Sequence, residues 1–505
     1  MRNIRIEQGL LSGAEQDGVH RFLGLPFAQP PVGELRWQPP RTPARWDGVR
    51  DATKFGNAAI QTANTGFDVG ASQSEDCLYL NVWTTDPDPA SRQPVMVWMH
   101  GGGFLNGAAS MKLWTGQELS RRGVTVVSVN YRLGAFGFLT HPDVGSNFGV
   151  LDWVAALSWI SKNIQAFGGD PDNVTIFGQS AGGAAVRALL STKTAKGLFH
   201  RAIIQSAGFE DYAVVDSPSY QRSAAATEKL FNQLGSHDID VLRQVPTEKV
   251  RAASLALSGI FPPTGQVHTP ANLVWYPIAD GDVMDDDFTG WPPEVPVMLG
   301  CTQNEARFFV QPTLLYAHPE LDPAAVYTQA TLEHMSKALG GNRSPEILAH
   351  FAASGLSAYE ALAELITVAV WHEPASATIE RLTELGRTPF FYRFARVSPG
   401  ARQSGLLAKH SAEIPYLFGS MVPPQVYEDV DRDVSNALQH AWTEFARTGT
   451  PRNLDGSPWE KSDRSAARLT VISDSNSSGP VEPDPLTDLI GSARRPATVA
   501  FREHK

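Results

Sequence analysis

The sequence predicts an α/β fold, with a largely parallel central sheet covered by helices on both faces. Two observations carry this. Short apolar runs of strand length recur along the chain, bounded by glycine or proline, and stretches with the apolar spacing of helices separate them. Alternation of this type builds a parallel sheet with crossover helices. The run Val95-Met-Val-Trp-Met-His100, between Pro94 and Gly101-Gly-Gly103, suits a central strand buried on both sides. A second run is Val124-Thr-Val-Val-Ser-Val129. Val154, Leu157, Ile160, Ile164 and Phe167 then fall at helical spacing, with Gly168-Gly169 as the stop and Asp170-Pro171 as a turn. Val174-Thr-Ile-Phe177 reads as the next strand and 181–190, rich in Ala and Leu, as the next helix. Further strands are expected at 202–205, 295–300 and 389–394. Stretches 262–293 and 473–487, rich in Pro, Gly and Asp, read as loops, and the helical region 320–385 as an insertion over one end of the sheet.

Composition narrows the function. Of 505 residues 42% are hydrophobic, with 24 Phe and 12 Trp, enough for a large core. Lys and Arg total 42 against 53 Asp and Glu, a net charge of −11, which offers no electrostatic footprint for nucleic acid. The apolar runs are far shorter than the ~20 residues of a membrane span. The first residues lack the basic segment and apolar stretch of a secretory signal. Cys77 and Cys301 could form one bridge at most, and both are expected to be thiols in a reducing compartment. The expected location is the cytoplasm; oligomeric state is left open.

Two glycine-rich segments carry chemistry. Gly178-Gln-Ser-Ala-Gly182 fits G-x-S-x-G and sits between an expected strand and an expected helix, the setting a nucleophile elbow needs. Ser180 is the candidate nucleophile, at a turn too tight for large neighbours and ahead of a helix N-terminus that favours negative charge. His100-Gly-Gly-Gly-Phe104 also follows a strand, and its glycines let backbone N–H groups approach an anionic oxygen. The candidate donors are Gly102, Gly103 and Ala181, the residue after the nucleophile. No H-E-x-x-H and no paired cysteine ligands occur, so zinc chemistry is disfavoured and no metal or organic cofactor is expected.

The chain resembles the type-B carboxylesterases, the cholinesterase-like α/β-hydrolases. Glu75-Asp-Cys-Leu-Tyr-Leu-Asn-Val82, Asn130-Tyr-Arg-Leu-Gly-Ala-Phe-Gly-Phe-Leu139 and the stretch 163–175 stand close to the family's wording. The opening Phe22-Leu-Gly-Leu-Pro-Phe-Ala28 and the late Trp442-Thr-Glu-Phe-Ala-Arg-Thr-Gly449 extend the likeness over nearly the whole chain. The resemblance implies a single α/β-hydrolase domain over 1–505, with helical and loop insertions above an active-site gorge. It implies a triad in the chain order Ser, acid, His. His410, in His410-Ser-Ala-Glu-Ile-Pro-Tyr416, matches the family's histidine segment, and Glu305, past the strand that begins near Val295, its acid. Asp280, Asp282 and the cluster 285–287 are rival acids. The resemblance further implies buried ion pairs Arg36 with Glu75 and Arg132 with Asp152, and a network of Ser206 and Glu413 behind the histidine.

Departures from the family bear on substrate. The partner position of Cys77 in secreted relatives falls in Phe55-Gly-Asn-Ala-Ala59, so Cys77 should be free. Gln179 replaces the usual Glu before the nucleophile, and Phe67 stands where cholinesterases place a Trp against choline. Both changes weaken a case for quaternary ammonium substrates. Phe104, Trp114, Phe308 and Phe309 either line an apolar gorge or pack in the core. The expected activity is hydrolysis of small-molecule neutral esters through an acyl-serine. A carbamate or amide hydrolase, a lipase using the same triad, and a catalytically silent binding protein of the same fold are the alternatives.

Overall fold

The computed structural model describes residues 2–61, 68–207, 219–259, 267, 269, 272–285, 291–292, 294–310, 320–422 and 426–502, with side chains through 493. Its strands are β1 (Arg2–Ile6), β2 (Gly9–Gln16), β3 (Val19–Pro26), β4 (Val49–Asp51), β5 (Tyr79–Thr84), β6 (Gln93–Met99) and β7 (Thr125–Val129). Then come β8 (Gly169–Gln179), β9 (Arg201–Gln205), β10 (Val297–Thr302), β11 (Phe390–Phe394), β12 (Arg468–Ile472) and β13 (Ser477–Pro480). They form one sheet in the order β1-β2-β3-β5-β7-β6-β8-β9-β10-β11-β12-β13, with β4 beside β2.

From β7 to β12 every neighbour is parallel. Apart from β12, which no expected run covers, these strands are the apolar runs of the sequence, and β6 and β7 are buried along nearly their whole length because helices cover both faces. The helix Phe148–Asn163 ends in a short 3-10 turn, Ile164–Phe167, stopped by Gly168 in the left-handed region at φ 82°. The region expected as a helical insertion holds the helices Gln329–Gly340, Ser344–Ser354, Ala358–Thr367 and Glu373–Glu384.

Three expectations need correction. Before β6 the chain adds antiparallel strands, β1 to β3 and β5, to one edge of the sheet. Asp170-Pro171 is not a turn but part of β8, opposite a register shift between Gln93 and Val95; such an irregularity tolerates a proline that has no N–H to donate. The supposed loop 473–487 contains β13, an exposed antiparallel edge strand on β12, and the start of the helix Pro485–Arg502. Cys77 and Cys301 are both free and buried, as expected.

Both ion pairs form. Arg36 grips Glu75 through two hydrogen bonds of 2.5 and 2.8 Å, and Arg132 grips Asp152 through two of 2.6 and 2.8 Å. Their spare donors are used as well: Arg36 reaches the Val245 carbonyl at 2.7 Å and Arg132 the Gln38 carbonyl at 2.8 Å. Such satisfaction is what lets a charge sit this deep, since removing one partner of a buried pair costs about 3–5 kcal/mol. These pairs tie the loops next to β3, β5 and β7 onto the helical layer. They thereby fix the frame that holds the strand ends.

Candidate active site

The carboxyl ends of the parallel strands place the chemistry, as in open α/β sheets generally. β8 runs directly into Ser180, which stands at φ 58° and ψ −128° and caps the helix Ala181–Leu190. A serine rarely occupies this region, and such strain is retained where surrounding structure enforces it. Enforcement comes from close packing of backbone. A Cβ on Gly178 would lie 2.3 Å from the Gly182 carbonyl oxygen, and one on Gly182 would lie 1.9 Å from that of Met99. The Ser180 N–H donates to the Gln205 carbonyl at 2.9 Å, pinning the elbow to the end of β9.

β6, the neighbour of β8, delivers His100 and the glycines. Gly102 sits at φ 117° and Gly103 at φ 62°, a path closed to larger residues because a Cβ on Gly102 would meet the Asn106 carbonyl oxygen at 2.1 Å. His100 Nδ1 bonds the Gly101 carbonyl at 2.9 Å and its ring stacks on Tyr131, and burial drives its pKa down to about 4, so it stays neutral. Among the described residues the N–H groups of Gly102, Gly103 and Ala181 meet no acceptor. They are donors in waiting.

Glu305 lies past the end of β10 and His410 in the loop before Glu413, and two backbone bonds zip their loops together. Asn304 N–H donates to the Ala408 carbonyl at 2.9 Å, and His410 N–H donates to the Glu305 carbonyl at 3.2 Å. The side chains then meet, His410 Nδ1–H donating to Glu305 Oε2 at 2.5 Å, while Glu305 Oε1 accepts from the Thr302 N–H at 2.7 Å. Both groups are buried. With its Nδ1 proton committed to the carboxylate, His410 presents a lone pair at Nε2. The Gln179 amide Nε2 meets that atom at 3.1 Å, and among the described residues Ser180 Oγ makes no hydrogen bond to it. The structure thus joins Glu305, His410 and Gln179 directly, with Ser180 the next residue along the elbow.

An aromatic wall surrounds the imidazole. Phe309 lies 5.1 Å and Phe308 5.9 Å from its centroid, both half-buried, and Lys409 Nζ rides 5.1 Å over the Phe308 ring. Trp371, 5.6 Å away, completes the wall and has no sequence motif to announce it. Phe104 and Trp114 are core residues instead. Phe104 is fully buried among Tyr131, Phe138, Trp153 and Tyr276, and Trp114 packs on Trp98 and donates to the Ala108 carbonyl at 2.8 Å. Phe67 lies outside the described residues, as do two of the rival acids, at 286 and 287. Asp280 is engaged elsewhere, accepting from Ser146 at 2.5 Å and Asn147 at 2.8 Å; although burial raises its pKa, these bonds and the N–H groups of Met284 and Val283 bring it below the ordinary value.

Behind His410, Glu413 is fully buried and accepts from Gln205 Nε2 at 3.2 Å, while its other oxygen and the Ser206 hydroxyl find no partner among the described residues. Burial, and secondarily the Glu305 carboxylate, pushes the Glu413 pKa up to about 8. The folded protein therefore holds a proton there that the unfolded chain releases at the usual carboxylate pKa, and stability falls as pH rises between the two values. Wild type should lose thermal stability relative to Glu413→Gln as pH is raised from about 5 to about 8. Parallel melting curves of the two proteins across that range measure it, and curves that stay parallel would mean Glu413 is ionised when folded.

A serine at a strand-to-helix elbow, unpaired N–H donors beside it, and an imidazole held by a buried carboxylate define a hydrolase of the α/β-hydrolase fold. The Carboxylesterase family model matches residues 1–482, and the chain belongs to that family. It is 33% identical over 473 residues to a para-nitrobenzyl esterase of Bacillus subtilis (strain 168), covering 89% of this chain and 90% of the relative. It is 33% identical over 470 residues to the phenmedipham hydrolase of Pseudarthrobacter oxydans, covering 88% and 89%. A solved PNB esterase superposes with a TM-score of 0.81 at 30% identity, over 97% of this chain and 99% of that one. The protein is a carboxylic-ester hydrolase.

Proposed function

We propose that Ser180, His410 and Glu305 form a catalytic triad that cleaves neutral carboxylic esters of small to medium size through an acyl-serine, with Gly102, Gly103 and Ala181 as the oxyanion hole. The observation that carries this reading is the Glu305 to His410 bond of 2.5 Å, which leaves the Nε2 lone pair on the side of the elbow. Substrate entry exchanges the Gln179 to His410 bond for one from Ser180 Oγ. As Oγ attacks the carbonyl carbon, its proton passes to Nε2, and the carbonyl oxygen becomes an anion received by the N–H donors. The C–O bond to the alcohol then breaks and His410 returns the proton to the leaving oxygen. Water, deprotonated by the same imidazole, releases the acid. Glu305 keeps the imidazole in the right tautomer and stabilises its charged form. Phe308 and Phe309 provide an apolar flank for the acyl or alcohol group. The two unpaired, buried cysteines support a reducing compartment, and with it the cytoplasm.

Gln179 bears on the choice of ester. It is a buried, neutral amide at the imidazole, where a carboxylate would favour a cation. A trimethylammonium group must shed water on entry, and a Trp face supplies only ~0.5–2 kcal/mol toward that cost. The uncharged tert-butyl isostere of acetylcholine should therefore be cleaved with kcat/KM at least equal to that of acetylcholine. Gln179→Glu combined with Phe67→Trp should move the ratio toward the cation. Steady-state kinetics on the two esters decide the point, and a strong wild-type preference for acetylcholine would refute the neutral-ester reading.

A further inference from the structure

The helix that begins at Ala358 passes through a π-helical turn, Val368–His372, before continuing as Glu373–Glu384. The Glu373 N–H bonds the Val368 carbonyl, an i to i+5 bond. The cause is local: Pro374 cannot donate an N–H, and its ring would press on the carbonyl four residues back in a regular α-helix, so the turn widens. In a regular helix, five residues rotate a side chain about 140° away from its starting direction. In the widened turn His372 returns to the side of Thr367, and Trp371 lies beside it. All three point at the acid and base.

Each makes a specific bond there. Thr367 Oγ1 accepts from the Ala306 N–H at 3.0 Å, immediately after Glu305. Trp371 packs at a tilt against His410, stacks on Phe309 and donates its indole N–H to the Ser206 carbonyl at 2.9 Å. His372 Nε2 bonds the Thr302 carbonyl at 3.0 Å, and Thr302 is the residue whose own N–H holds Glu305 Oε1. The tautomer of His372 follows from its other nitrogen. Arg393 Nη1 lies 3.1 Å from Nδ1 and can only donate, so Nδ1 accepts and Nε2 carries the proton. Burial and the Arg393 charge both hold His372 neutral, giving a donor that does not change during turnover.

We propose that this π-turn is a clamp on the acid loop and that His372 is a positioning residue for Glu305, acting through Thr302. The inference rests on the triad reading above. A carboxylate that must meet Nδ1 needs its other oxygen fixed, and that oxygen is bound to a residue whose carbonyl His372 holds. Small misplacements of catalytic groups cost about 100-fold in rate.

The test is a double-mutant cycle on an ester substrate. His372→Leu should lower kcat about 10- to 100-fold with KM within about twofold, because the loss falls on the charged imidazole of the transition state. His372→Gln, which keeps a donor at the Nε2 position, should recover most of it. In a Glu305→Ala background the His372→Leu effect should shrink to within about twofold, since the clamp then has nothing to hold. Wild-type turnover in His372→Leu, or an equal loss in both backgrounds, would overturn the proposal. Failure of the triad reading looks different: Glu305→Ala alone would then stay active. If His372→Leu does not fold, His372→Met, which also lacks a donor, is carried through the same cycle and decides by the same criteria.

Discussion

Ser180→Ala should lower kcat for ester hydrolysis by about a million-fold while leaving the fold and the melting temperature nearly unchanged. The size of the loss follows from the way triad members act as a unit, where removing the nucleophile removes nearly everything except the contribution of the oxyanion donors and substrate binding. Retention of the fold follows from the local structure. Oγ makes no hydrogen bond among the described residues, and the elbow is held by the Ser180 N–H bond to Gln205 and by the glycine packing at 178 and 182, none of which needs the hydroxyl. Alanine carries the same Cβ, so the strain at φ 58° is unchanged. The variant should be purified from a host whose own esterases are excluded, and an organophosphate should label wild type at Ser180 and leave Ser180→Ala unlabelled. Label found on another serine, or activity above about 1% of wild type in the clean variant, would remove Ser180 from the mechanism.

The elbow and the glycine loop were legible because they are local. Their glycines are demanded by contacts of the chain with itself within a few residues or between neighbouring strand ends, so the pattern survives as a short string. Glu305 and His410 are 105 positions apart and meet only through paired loops. Family resemblance supplied them; no periodicity or spacing did. The antiparallel strands β1 to β3 and β5 were harder, since half-exposed strands such as Arg2–Ile6 alternate exposed and buried residues and show no continuous apolar run. Phe104 and Trp114 were ambiguous because an aromatic beside a glycine loop can face substrate or core, and only the packing of Tyr131, Trp153 and Trp98 around them decides. The π-turn was invisible for a different reason. Helical spacing fits 358–384 almost as well with or without one extra residue, and the function of Thr367, Trp371 and His372 depends on that single residue of slip.

Glu305→Gln should be the second most damaging substitution of those considered, lowering kcat by about 10³- to 10⁴-fold with little change in KM. The reason lies in the two bonds of the carboxylate, which accepts at both oxygens: from the Thr302 N–H at 2.7 Å and from His410 Nδ1–H at 2.5 Å. An amide can accept at only one of them. If its oxygen faces Thr302, its NH2 faces Nδ1 and forces the imidazole proton onto Nε2, where the base can no longer take the serine proton. If its oxygen faces His410, its NH2 opposes the Thr302 N–H, leaving two buried donors in contact. Either arrangement also withdraws the negative charge that stabilises the imidazolium, and that charge matters most in the transition state, so the loss appears in kcat. Asp280→Asn makes the matching control, because Asp280 is occupied by Ser146, Asn147 and the N–H groups of 282–284. Its kcat should stay within a few-fold of wild type. The opposite ranking, Glu305→Gln near wild type and Asp280→Asn collapsed, would move the acid of the triad from Glu305 to Asp280, and with it the tautomer assigned to His410.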